Sequence, residues 1–221
     1  ITMSDEGQQV INLGGTGTVS TMNGGVQMID RGGIGTVDVM NSGIQGINNG
    51  TGTVSTMNNG SQIVRAGGNG IVGTMEGGSQ TISSGGNGTV VTMNSGWQNI
   101  DYGGTGTVST MDGGNQGISG GGTGTVSTMN SGGQGISGGG TGTVNTMSGG
   151  DQYISMGTGT INTMSGGTQV VMVGEGKIEV MSGGTQTVSN MGTGTVSTMN
   201  SGTQIVNVGG TGTVSTMMSG G

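Results

Sequence analysis

The chain has 221 residues, 59 of them Gly, with no Pro, Cys, Phe or His and a formal charge of −7 set by ten acids against three bases. Without cysteine there is no disulfide, thiol nucleophile or thiolate metal site, and without a basic face there is no electrostatic footing for nucleic acid or an anionic membrane. Ala, Leu, Lys and Arg are scarce while Val, Ile and Thr fill the patterned positions, so the sequence is read as all-β.

In chain order, the first strand is Ile1-Thr2-Met3, and its methionine opens a column that runs to the other end: Met22, Met40, Met57, Met75, Met93, Met111, Met129, Met147, Met164, Met181, Met199 and Met217. The steps are 18 residues, broken by one of 19 and three of 17. A glutamine column follows five residues behind, from Gln27 to Gln204, with Gln9 displaced by one inserted residue. A register held at a short fixed period predicts stacked units, each unable to bury its apolar side without its neighbours. A disordered Gly/Ser/Thr tract has no reason to keep such a register.

The segment Gly14-Gly15-Thr16-Gly17-Thr18-Val19 has the glycine content of a phosphate-cradling loop, but no helix follows it and it recurs many times, so it is read as a turn. Calcium-binding rolls place Asp where Val19, Val108, Val126 and Val144 stand here. No metal and no cofactor is expected.

Further along, Trp97 sits where other repeats carry Gly, Ser, Thr or Val just before the glutamine and is placed on an outer corner, where it could stack on a sugar. Tyr102 and Tyr153 are the other aromatics. The repeat is clearest at Thr123–Gly140: a strand Thr123–Met129, a polar turn Asn130–Gly133, a short strand Gln134–Ser137 and a glycine turn Gly138–Gly140. Val126, Met129 and Ile136 define three apolar columns. Two-residue spacing puts Gln134 on the face of Ile136, so the glutamines either form an interior amide ladder or sit at a corner, and the ladder is the preferred reading. Val126 and Met129 are three apart, which requires a bend or bulge near Ser127 or Thr128 if both face inward.

The acids fall in different repeats, apart from Glu175, Lys177 and Glu179, whose alternating spacing reads as a solvated charge group rather than paired catalytic carboxylates. No catalytic residue is assigned and the chain is not read as an enzyme. The sequence closes inside a turn at Met218–Gly221 with no atypical capping unit at either end, and it reads as one domain, 1–221, cut from a longer protein. The fold predicted is a single parallel β-helix of about twelve turns, roughly 55–60 Å long at one strand spacing per turn. With only 28% hydrophobic residues, turn-to-turn backbone hydrogen bonds and stacked Asn, Thr and Gln side chains have to supply what apolar burial lacks.

Runs such as Met129-Asn130-Ser131-Gly132-Gly133-Gln134-Gly135-Ile136-Ser137, Met93-Asn94-Ser95-Gly96-Trp97-Gln98 and Met181-Ser182-Gly183-Gly184-Thr185-Gln186-Thr187-Val188-Ser189 resemble the repeats of AIDA-type self-associating autotransporter adhesins, over essentially the whole chain. The resemblance implies a right-handed β-helical passenger domain at a Gram-negative bacterial surface, outer-membrane anchored or secreted, that mediates adhesion to host cells, autoaggregation and biofilm formation. It also implies O-heptosylation of turn serines by a cytoplasmic heptosyltransferase before export. On this basis the acceptors are Ser42, Ser95, Ser131 and Ser201 in N-S-G turns, then Ser83, Ser84, Ser119, Ser137, Ser155 and Ser189 at the second turn. Ser148, Ser165, Ser182 and Ser219 stand in M-S-G-G turns, read as shortened versions. The turns at Met22, Met75 and Met111 have no serine.

Repetition suggests a mechanism in which a weak contact made once per turn strengthens when like rods align side by side and antiparallel. Two other functions fit the pattern. Thr-Gly-Thr recurs from Thr16 to Thr211 as two threonine columns of the kind an ice-binding solenoid displays, interrupted at Ile34, Asn69, Asn87 and Glu175. A purely structural stalk holding another adhesive domain outward is the third.

Overall fold

The computed structural model describes residues 1–218, so Ser219 lies outside the described residues. Among the described residues twenty strands are present and their pairings are all parallel, each long strand on the next long strand and each short strand on the next short strand. The chain is therefore a β-solenoid of about twelve coils of about 18 residues. A typical coil carries the seven-residue strand Thr105–Met111 and the four-residue strand Asn115–Ile118. Equivalent repeat positions pair from coil to coil: Thr105 with Thr123, Val108 with Val126, Met111 with Met129 and Gln116 with Gln134.

In the long strand threonine alternates with glycine and valine, and this alternation decides what points inward. Gly106 and Val108 are buried between the outward Thr105 and Thr107. Gly106 cannot be replaced by a larger residue without movement, since a Cβ there would lie 2.7 Å from Ile100 Cγ1 and 2.8 Å from Gln98 Oε1. The glycine column is thus the space into which the isoleucine and glutamine columns fit. Two apolar clusters result, one of the Val and Met columns and one of the Ile column on the short strands.

Val108 and Met111 are both fully buried although three residues apart, and the ladder pairs Val108 and Thr110 with the next coil but passes over Ser109. The expected bend therefore lies at the serine. The glutamine side chains from Gln27 to Gln186 are buried, which places this column inside as a ladder.

Two details of the turns differ from the sequence reading. Met147 and Gln152 pair with Met129 and Gln134, so the turn Ser148-Gly149-Gly150-Asp151 has the same length as Asn130–Gly133, and Ser148 takes the place of Asn130. The M-S-G-G turns are not shortened; their serine has moved one position earlier. The missing residues of the 17-residue coils lie in the other turn, where Ile29 and Ile34 pair with Ile47 and Thr51. The strands Asp151–Met164 and Thr168–Val206 run on through such abbreviated turns near Met156 and Val173.

The second surprise is the backbone of the full-length second turn. At Leu13-Gly14, Arg31-Gly32, Ala66-Gly67 and Tyr102-Gly103 both residues have positive φ, and the flanking bond closes from Gly15 N–H to Asn12 O at 3.0 Å and from Gly104 N–H to Asp101 O at 3.0 Å. This is a type I′ turn, which suits glycine or asparagine at its first central position better than leucine or tyrosine.

Candidate functional site

The outer surface is a set of columns, each fixed by one repeat position, and three of them carry groups able to contact a partner. The first is the polar turn after each methionine. There the side-chain amide of Asn41 donates to Asn23 at 2.8 Å and that of Asn58 to Asn41 at 2.8 Å. The same ladder continues as Asn94 to Glu76 at 2.9 Å and Asn130 to Asp112 at 2.7 Å. Ser42, Ser95 and Ser131 stand one position beyond this ladder with exposed side chains, and Ser201 is half-buried in the same column, its hydroxyl donating to Ser182 O at 2.6 Å. Ser148, Ser165 and Ser182 are exposed but belong to the asparagine column, where Ser182 accepts from Asn200 at 3.1 Å. The turn serines thus form two adjacent columns rather than one.

The candidates of the second turn divide in the same way. Ser83, Ser119, Ser137, Ser155 and Ser189 begin the turn, while Ser84 is its left-handed residue and fully outward. The Ser119 hydroxyl donates to the Asp101 carboxylate one coil below.

The second surface is the Thr-Gly-Thr face. From the coil of Thr105 to that of Thr158 both threonine columns are complete and outward-facing. One coil later they are broken by Glu175 and Lys177, and Lys177 reaches Glu179 at 2.6 Å. The Lys177 ammonium, and after it the Ser197 hydroxyl donating at 2.9 Å, hold the Glu179 carboxyl below the usual carboxylate range. The pair is half exposed and contributes little to stability. Among the described residues no three His, Cys, Asp or Glu side chains group to hold a metal.

The third surface is the outward face of the short strands. Trp97 starts the strand Trp97–Ile100 and faces solvent. In the stack it is followed by Asn115, Gly133 and Asp151, while the outward position two residues on runs Asn99, Gly117, Gly135 and Tyr153. Glycines therefore occupy three of the four outward positions in the two coils between the aromatic rings. The result is a depression of about 540 Å³ walled by Trp97 and Tyr153, continuous with one of about 370 Å³ running along Asn99, Asp101, Ser119 and Ser137. The Tyr153 hydroxyl donates to the Met172 sulfur, which holds the ring from the next coil. The sequence singled out Trp97 alone; the signal for Tyr153 was the pair of positions flanking glutamine, compared across coils rather than along the chain.

No protein-family model, no curated protein and no solved structure matches the chain.

Proposed function

We propose that the chain is the adhesive rod of an AIDA-type self-associating autotransporter, held at the bacterial surface or released from it, and that it acts without catalysis. The observation that carries this reading is the stack itself. The β-solenoid sets outward groups of one kind at one strand spacing along faces many coils long, as in the amide ladder Asn23–Asn41–Asn58 and the threonine columns. A contact too weak to persist once gains on the order of 10²–10⁴ in avidity when a second rod lines up and repeats it, provided the spacings match, and two copies of one rod match by construction. The partners proposed are like rods on neighbouring cells and the host cell surface. The serines of the two turns are the proposed acceptors of O-linked heptose, added by a cytoplasmic heptosyltransferase before export. Their exposure at Ser42, Ser84, Ser95, Ser131, Ser137 and Ser148 supports this, since a sugar attached there has room outside the folded coil.

The test is to display the chain on a non-aggregating bacterium and follow settling of the suspension. Accelerated settling is expected, together with mass additions in units of one heptose when the heptosyltransferase is co-expressed. Settling at the rate of the parent strain removes the adhesive reading and leaves the structural stalk. The four complete coils from Thr105 to Thr160 favour ice binding as the second reading, and thermal hysteresis of the purified chain decides it.

A further inference from the structure

The depression between Trp97 and Tyr153 is not required by the fold. Elsewhere a glycine is forced: at Gly132, with φ of 83°, an added Cβ would also lie 2.5 Å from Gly114 O. Gly117 and Gly135 have no such reason. Neither has a positive φ; a Cβ on Gly135 would meet nothing within 4 Å, and one on Gly117 would touch only Asn99 Oδ1 at 3.4 Å. Other coils carry Ile63 or Val170 at this position with the same pairing. At Gly117 and Gly135 the trough is therefore open by sequence rather than by packing, while at Gly133 a Cβ would meet the Asn115 side chain at 2.9 Å, and the three glycines lie between two of the three aromatic residues of the chain.

We propose that this trough binds a neutral oligosaccharide, laid along the coil axis with its end rings on the Trp97 and Tyr153 side chains. Trp97 and Tyr153 lie three strand spacings apart along the axis, roughly 14 Å, which a chain of about three pyranose rings spans. Aromatic faces attract the C–H faces of a pyranose, and the tyrosine and tryptophan edges stay wet, as a surface site requires. The bare glycine floor lets the middle ring approach the sheet, where any larger side chain would lift it. Hydrogen-bonding groups line the trough at Asn99, Asn115, Ser131 and the Asp151 carboxylate. The lining carries carboxylates at Asp101 and Asp151 and no cationic side chain, so an acidic sugar, a phosphate or a nucleic acid is repelled. This site differs from the distributed side-by-side contacts proposed above, because its two aromatic walls, Trp97 and Tyr153, are not repeated from coil to coil.

Trp97 is the only tryptophan, so its fluorescence reports on this trough and nowhere else. The test titrates the full, unglycosylated chain with maltotriose, cellotriose and chitotriose, with sialyllactose as the acidic counterpart. A saturable change is expected with at least one neutral trisaccharide, with a Kd in about the millimolar range, and none with sialyllactose. Gly135→Ile and Tyr153→Ala should each weaken binding about tenfold or more while the β-sheet circular dichroism is unchanged. The proposal is overturned if no neutral trisaccharide alters the fluorescence up to about 10 mM, or if well-folded Gly135→Ile binds as the parent does. Equal response to sialyllactose overturns the charge argument and with it the ligand class.

Discussion

A glutamine inside a β-coil has to satisfy one carbonyl and two N–H groups where no water reaches, and the repeat solves this by making each glutamine the partner of the next. The Gln116 amide donates to Gln98 Oε1 at 2.6 Å, and Gln134 donates to Gln116 Oε1 at 2.7 Å. The second N–H of Gln116 is directed at Gly106 O and Thr125 O, at 3.5 and 3.4 Å. Among the described residues no buried side-chain nitrogen or oxygen lacks a partner. The ladder is stabilising only as a whole, because removing one rung strands the groups above and below it. Gln116→Leu is therefore expected to destabilise the chain by about 2–5 kcal/mol despite its similar volume, since a buried carbonyl and a buried N–H each lose a bond worth about 1–3 kcal/mol when left unmade. Chemical denaturation measures it. A loss below about 1 kcal/mol would mean that water enters the ladder.

The two kinds of turn differ in how much of them could be read from sequence. At the polar turn the signal is direct: Gly96 and Gly132 have positive φ and face the carbonyls of the coil below, so only glycine fits. At the second turn Leu13, Arg31, Ala66 and Tyr102 hold φ between 46° and 53°, which their local preferences oppose by roughly 1 kcal/mol each. Stacking on neighbouring coils overrides that preference, and for this reason the type I′ geometry is not legible at these residues. Where the strain exists it should be removable: Ala66→Gly is expected to raise stability by up to about 0.5 kcal/mol, relief of about 1 kcal/mol being offset in part by the greater freedom of glycine in the unfolded chain. A denaturation midpoint that falls instead would mean the turn is not in the left-handed region. Spacing by two put glutamine on the face of isoleucine but left a corner position open, which only its burial closes, whereas spacing by three required the bend between Val126 and Met129. The M-S-G-G turns were misread because the serine was aligned on its identity; counting from Met147 to Gln152 would have given the same five residues as from Met129 to Gln134. The trough escaped because it belongs to no single repeat. It emerges only when Trp97, Gly117, Gly133, Gly135 and Tyr153 are brought onto adjacent coils.

At the scale of the molecule each coil touches little besides the coil before and the coil after, so stability should be close to a sum of coil and interface contributions. Such an object has an unusual tolerance: it can lose a whole period but not half of one. Deleting residues 113–130 removes 18 residues and joins Asp112 to Ser131, which restores the five-residue spacing from methionine to glutamine and leaves every column intact. The shortened rod is expected to unfold cooperatively, with a denaturant m-value lower by roughly one part in twelve, in proportion to the surface that unfolding exposes. Deleting residues 113–121 instead removes the short strand Asn115–Ile118 with its Gln116 and Ile118, and brings two long strands together without the reversal between them. That leaves Gln98 Oε1 without its donor and a Gln134 N–H without its acceptor, and opens the isoleucine column, which is continuous across these coils. It should cost more than the deletion twice its size, through lost cooperativity or the melting of a neighbouring coil. Equal stability of the two deletions would show that the coils do not depend on like side chains stacking on like, and the ordered columns invoked for adhesion would lose their physical basis.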